Sequence, residues 1–186
     1  MKAVCLKAFG EIENLYIGEI SSPTLSPYSV RIRVKAAGVN RADISQRQGS
    51  YPPPPGESEI LGLEVSGEVI ETTSDRFKIG DRVMALLAGG GYAEEVVVAE
   101  DFVLVLPGDR SFEEGAAFVE TFVAAYLNLF LLAKIQTGET ALIHAGASGV
   151  GLSALQLLKH FGIKAYTTVG SLKKKAAVEK FGATGL

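Results

Sequence analysis

Five residues in the run Glu139-Thr-Ala-Leu-Ile-His-Ala-Gly-Ala-Ser-Gly-Val-Gly151, namely Gly146, Ser148, Gly149, Val150 and Gly151, are of a type and spacing that can hold a diphosphate. Small residues let the backbone come close to pyrophosphate oxygens, and a helix starting there turns unpaired N–H groups and its positive dipole end toward the anion. The pattern is a variant of G-x-G-x-x-G: Gly146 and Gly151 take the outer places, Ser148 the middle one, and Gly149 stands beside it. A second group follows in Gly170-Ser-Leu-Lys-Lys-Lys175. NAD-binding units place a carboxylate about 20 residues after the turn, where it accepts from the ribose 2′-OH. Gly170 and Ser171 occupy that place here, so nothing repels a phosphate. Lys173, Lys174 and Lys175 are expected in the first turn of the next helix, where the dipole disfavours each cation by roughly a few tenths of a kcal/mol. An adenosine 2′-phosphate reverses that penalty, which favours NADPH over NADH and makes Lys174 its reader. The alternative is that Ser171 is an N-cap and the lysines form a solvated face.

These residues need a strand, a turn and a helix to carry them. Thr140–Ala145 is a short apolar run, and Leu152, Leu155, Leu158 and Phe161 recur at helical spacing before Gly162. Lys164–Val169 reads as the next strand. Upstream, Lys2–Ala8, Tyr16–Ile20, Ser29–Ala37, Gly62–Glu71, Arg82–Leu87, Tyr92–Val98 and Val103–Leu106 alternate like strands, with Pro52–Gly56, Gly80-Asp81 and Gly89–Gly91 as turns. Helical patterning then covers Phe112–Phe118 and Phe122–Ile135. The expected fold is α/β with an all-β part: a barrel-type β module over residues 1–118, then the first half of a Rossmann dinucleotide-binding domain over 119–186.

Composition narrows the function classes. With 47% hydrophobic residues, 21% charged and a net charge of −3, the chain is neither disordered nor built to take nucleic acid as its main partner. The longest uncharged apolar segment, Thr121–Ala133, is too short to span a bilayer. No basic segment precedes an apolar one at the N-terminus, so no signal peptide is expected. Cys5 is the only cysteine, which excludes an intrachain disulfide and suits a reducing, cytoplasmic setting. It is expected to be buried in the first strand.

A second informative block runs Ala37-Gly-Val-Asn-Arg-Ala-Asp-Ile-Ser-Gln-Arg-Gln-Gly-Ser-Tyr51-Pro-Pro-Pro-Pro-Gly56 and resumes at Ile60-Leu-Gly-Leu-Glu-Val-Ser-Gly67. With Phe77-Lys-Ile-Gly-Asp-Arg-Val83, Gly91-Tyr-Ala-Glu-Glu-Val96 and the glycine turn, it resembles the zinc-independent, zeta-crystallin-like quinone oxidoreductases of the medium-chain dehydrogenase/reductase superfamily. That resemblance implies a GroES-like β-barrel ahead of the nucleotide domain, NADPH-dependent reduction of small-molecule quinones, and a homodimer. Zinc alcohol dehydrogenases of the superfamily have a cysteine at the place of Asn40 and a histidine at that of Leu63, so a metal-free site is expected. In such a site the Asn40 amide and the Tyr51 hydroxyl orient the quinone oxygen, as the matching residues are thought to do in the family.

Other roles compete for the same residues. Asn40 can cap a helix over Arg41–Arg47 with Asp43 at its third position, and Tyr51 can stack on the stiff proline run after it. Glu64, inside an apolar strand, needs a partner if buried. His144 and His160 have no neighbours at ligand or triad spacing. Ala124 stands where family members usually have threonine near the nicotinamide. Family members continue beyond the second helix of the nucleotide half, so an incomplete domain is expected, with Ile143, Tyr166 and Val169 on open faces and activity reduced or absent. The alternatives are an enoyl thioester or other activated-alkene reductase of the same superfamily, and a nucleotide-binding or inert truncated isoform without turnover.

Overall fold

The computed structural model describes all 186 residues, which divide into two compact units, Met1–Val119 and Glu120–Leu186. In the first unit a hairpin pairs β1 (Lys2–Leu6) with β2 (Leu15–Glu19). Cys5 lies buried in β1. A five-stranded antiparallel sheet follows, composed of β3 (Ser29–Ala37), β4 (Glu64–Thr72), β5 (Arg82–Leu86), β6 (Glu95–Ala99) and β7 (Val103–Val105). Its spatial order is β6-β3-β4-β5-β7. The β3–β4 register slips between Arg31 and Ile32 and again between Val34 and Ala36. Such irregularities bend the bulged strand and raise its twist, and the sheet curls into a half-barrel. Period-two alternation points Val30 and Ile32 inward, where they pack with Val65, Val69, Val83 and Val98 as the core of this unit.

Two short helices complete the unit. Helix α1 (Arg41–Arg47) leaves the end of β3, and α2 (Phe112–Ala116) starts at the Ser111 cap, whose hydroxyl accepts from the Glu114 N–H at 3.2 Å. Ser66 of β4 donates its hydroxyl to the Phe112 carbonyl and ties α2 to the sheet. Gly115 fits there because a side chain would meet Leu106 and Ser66.

In the second unit β8 (Thr140–Ile143) and β9 (Lys164–Thr167) form a parallel pair joined by α4 (Gly149–His160). Ala141, Leu155, Leu158, Ile163, Ala165 and Val178 make its core. Beyond α5 (Lys175–Phe181) the chain returns beside β9: Thr184 donates to the Ala165 carbonyl at 2.6 Å and Thr167 to the Gly185 carbonyl at 3.0 Å. The order is therefore third segment, β9, β8, which matches the 3-2-1 order of a doubly wound nucleotide half.

Four expectations change in detail. The helix expected over 122–135 is instead α3 (Val119–Tyr126) followed by a π-helical stretch, Leu127–Leu132. Asn128 turns its amide back to the Ala124 carbonyl at 2.8 Å, while Ala133 and Ile135 reach carbonyls five and six residues back. Strand β8 stops at Ile143, before Ala145, because Ala145 adopts a left-handed φ of 52°. The lysines do not share the first turn of a helix: Lys173 and Lys174 lie in a 3-10 turn and Lys175 opens α5. On the open faces, Tyr166 is 42% exposed as expected, but Leu142 at 60% exceeds it and Ile143 and Val169 are half-buried.

Candidate functional site

The glycine turn is stapled to β9 by two threonines. Buried Thr167 donates its hydroxyl to the Ile143 carbonyl at 2.6 Å, and the Thr168 N–H reaches the same carbonyl at 3.1 Å. Gly146 N–H donates to the Thr168 carbonyl at 3.0 Å. The Thr168 hydroxyl accepts from Ala145 N–H at 3.2 Å and lies 3.2 Å from His144 Nδ1, so His144 has a structural partner that its spacing did not reveal. Each glycine of the outer pair is sterically required. A side chain on Gly146 would run into that of Thr167, and one on Gly151 would sit 2.6 Å from the Ala145 carbonyl oxygen.

The turn then opens α4. Ser148 is its N-cap, accepting from Gly151 N–H at 3.1 Å. Helix geometry leaves the N–H groups of Gly149 and Val150 without intrahelical acceptors, and Ser148, Gly149 and Val150 are exposed. Behind them Ser153 donates to Thr121 at 2.9 Å, and a side chain on Gly149 would meet the Thr121 methyl at 3.0 Å. At the end of β9, Gly170, Ser171 and Lys174 are all exposed. Ser171 does cap the 3-10 turn, accepting from Lys173 N–H at 3.3 Å, while Lys175 is drawn off toward Glu179 at 3.7 Å. Lys174 extends into solvent. The glycine turn and the cationic turn thus lie on consecutive βα connections of one unit.

In the first unit Asn40 stands at the N-cap of α1, with a β-region backbone. Its backbone N–H donates to Asp43 Oδ2 at 2.6 Å, and its side-chain Nδ2 to Glu64 Oε1 at 2.9 Å. Capping and side-chain presentation thus coexist in one residue. Glu64 and Asp43 are buried, at 2% and 3% exposure. Tyr92 donates its hydroxyl to the same Asp43 Oδ2 at 2.8 Å, leaving Asp43 Oδ1 buried with no partner. Burial, the hydrogen bond to Asp43 and the negative charges of Asp43 and Glu64 push the Tyr92 hydroxyl well above the usual tyrosine range. Gly38 leaves room for Glu64, whose carboxylate would meet any side chain placed there.

Tyr51 is not part of this cluster. It is 51% exposed and forms no hydrogen bond within the chain. A cavity of about 620 Å³ lined by Leu6, Phe9, Pro52–Pro55 and Ile60 follows it in sequence but contains neither Tyr51 nor Asn40. Leu63 is buried beside Glu64. Sequence reasoning singled out Asn40 and flagged Glu64 as needing a partner, but not Tyr92, Thr167 or Thr168. The first follows a glycine run that reads only as a turn, and the threonines read only as a strand end.

Residues 26–108 match the family model described as the alcohol dehydrogenase GroES-like domain. The chain is 37% identical over 180 residues to a Mus musculus protein named synaptic vesicle membrane protein VAT-1 homolog-like, covering 95% of this chain and 43% of that relative. Its fold is shared with Escherichia coli quinone oxidoreductase solved in complex with NADPH, at a TM-score of 0.87, 32% identity, and coverage of 98% of this chain and 57% of that one. The CurK enoyl reductase structure superposes at a TM-score of 0.90 with 28% identity, over 99% of this chain and 58% of that one. The chain thus spans about half the length of these relatives. No helix is long and apolar enough to cross a membrane. With this likeness carried along nearly all of its residues, the chain belongs to the medium-chain dehydrogenase/reductase superfamily, in the company of the quinone oxidoreductases and VAT-1 homologues.

Proposed function

We propose that this chain carries the cofactor-binding turn and the carbonyl-orienting residues of an NADPH-dependent, metal-free quinone reductase. The observation that carries the reading is the tight glycine turn between β8 and α4, where a side chain on Gly146 would strike Thr167 and one on Gly151 the Ala145–Gly146 backbone, so that only glycines let the turn pack this closely at the start of α4. Similarity to a quinone oxidoreductase solved with NADPH supports the choice of cofactor. The free N–H groups of Gly149 and Val150, with the helix dipole, hold the pyrophosphate, while Gly146, Ser148 and Gly151, whose own N–H groups are bonded within the turn, shape the close approach. Gly170 and Ser171 leave space at the ribose, and Lys174 pairs with the 2′-phosphate. When bound, NADPH supplies the hydride that, with one solvent proton, converts a quinone to a hydroquinone.

On the substrate side, Asn40 offers an amide N–H and Tyr51 a hydroxyl to the oxygen on which negative charge develops. The residues at the places of the two zinc ligands, Asn40 and Leu63, support doing this without a metal. A single buried cysteine fits a cytoplasmic setting, and we place the working assembly as a homodimer, as the family resemblance implies.

The test is to titrate the purified chain with NADPH by fluorescence and then follow NADPH oxidation with an ortho-quinone. Saturable binding with oxidation is the expected result. Absence of binding would defeat the cofactor assignment, and binding without oxidation would favour a nucleotide-binding role. A second reading, activated-alkene reduction, is favoured by the likeness to an enoyl reductase. Oxidation with a crotonyl thioester but not with the quinone would select it.

A further inference from the structure

We infer that Tyr92 is a positioning residue of the substrate site, its hydroxyl fixing the Asn40 backbone through Asp43 while Glu64 fixes the Asn40 amide, so that the second Nδ2–H of Asn40 is the donor offered to a carbonyl. The inference rests on the reading of Asn40 as the substrate donor. It begins with an ambiguity in every asparagine: the two ends of the amide are similar in shape, and only the surroundings decide which end points where. An ionised carboxylate can only accept. Glu64 Oε1, 2.9 Å from Asn40 Nδ2 and buried at the start of β4, therefore orients the amide group and leaves one N–H over.

The side chain is only as well placed as the backbone that carries it. Asn40 N–H donates to Asp43 Oδ2 at 2.6 Å, and the same oxygen is gripped by the Tyr92 hydroxyl at 2.8 Å. Asp43 Oδ1, buried with no partner, leaves the carboxylate held through Oδ2 alone. Tyr92 is itself immobilised by other segments: its N–H donates to the Leu61 carbonyl at 2.9 Å, and its carbonyl accepts from Val4 N–H of β1 at 2.8 Å. Gly62 packs so closely on the ring that an added side chain would lie 2.7 Å from Tyr92 Cδ1. β1, Leu61 and Gly62 thus hold Tyr92, Tyr92 holds Asp43, and Asp43 and Glu64 hold Asn40. A phenol that must donate to Asp43 also has to keep its proton, and its raised proton affinity agrees with that requirement.

The decisive experiment is NMR on the full 186-residue chain, following solvent exchange of the Asn40 side-chain amide protons. Tyr92→Phe keeps the ring and removes the hydroxyl. Exchange should accelerate by about tenfold or more, as for loss of one charge-assisted hydrogen bond, while protection of the sheet amides stays as in the wild type. Unchanged Asn40 exchange would overturn the inference, as would acceleration spread evenly over the sheet, which marks general loosening. Glu64→Gln gives an independent check: a neutral amide no longer enforces one orientation, so the Asn40 resonances should shift and broaden, and a retained wild-type pattern would also overturn it. In quinone turnover, Tyr92→Phe should lower kcat in the wild type and have no further effect in Asn40→Ala. Equal losses in both backgrounds would refute action through Asn40. If Asn40→Ala alone leaves kcat unchanged, the substrate-donor reading fails, and the exchange result then identifies a structural clamp rather than a positioning device.

Discussion

Lys174 and Tyr92 illustrate how differently single residues declare themselves. Lys174 is exposed and closes the serine-capped 3-10 turn that follows β9, which is where the proposed 2′-phosphate contact places it. Lys174→Ala is expected to weaken NADPH by about 1–3 kcal/mol and NADH hardly at all. Fluorescence titration with both cofactors checks this, and equal weakening would remove the lysine from the phosphate site. Tyr92 was read only as the start of a strand, Tyr92–Val98, and as part of the Gly91–Val96 motif; the strand begins at Glu95 instead, and the contact of its hydroxyl with Asp43 spans 49 residues, which no local pattern reveals. Its consequence is a dependence on alkaline pH. The folded state holds the phenol above its ordinary pKa, so both states are protonated below about pH 10, the unfolded tyrosine value. Above that the unfolded chain releases the proton first, and stability falls as pH rises. Melting scans above pH 9 should show a steeper alkaline decline for the wild type than for Tyr92→Phe. Parallel curves would show that Tyr92 does not titrate differently on folding. Asn40 was legible because its neighbours form a motif, whereas its hold on Glu64 depends on strand pairing that no local pattern reveals.

At the level of elements, period and punctuation were enough to find β3 and α1 with their observed bounds. They failed at ends and at irregular backbone. Strand β9 stops short because the residues after it serve the glycine turn, and the helix past Tyr126 widens because Asn128 competes for a backbone carbonyl. Neither effect has a sequence period. Helix α4 shows the opposite case, an amphipathic pattern that translated directly into packing: Leu155 and Leu158 are fully buried against Ala141, Ala165 and Val178. Leu155→Ala should therefore destabilise the second unit by about 2–5 kcal/mol. Chemical denaturation followed by a probe in that unit measures the loss, and a change below about 1 kcal/mol would mean that the site collapses to fill the cavity.

For the molecule as a whole, the order of motifs along the chain was the most legible feature, since two units with different periodicities follow one another. Surface character was less so, because exposure depends on which face of β8–β9 is covered. Leu142 at 60% and Tyr166 at 42% present apolar side chains on that small sheet. Exposed apolar area of this kind promotes self-association. Leu142→Thr with Tyr166→Thr should reduce concentration-dependent light scattering while leaving the CD spectrum unchanged. Scattering that is unaffected would direct attention to other exposed residues, such as Leu131 and Leu132 in the π-helical stretch. The threonine staple has a further meaning for the proposed cofactor. Thr167 and Thr168 bind the end of β9 to the turn after β8 through four hydrogen bonds, and the same strand end leads directly into Gly170 and Lys174. For the proposed NADPH complex, the glycine turn and the Lys174 turn are thus two jaws of one caliper joined by these hydrogen bonds, one for the pyrophosphate and one for the 2′-phosphate. Such a device selects by length as well as by charge, and a nucleotide lacking either phosphate group can close only one jaw.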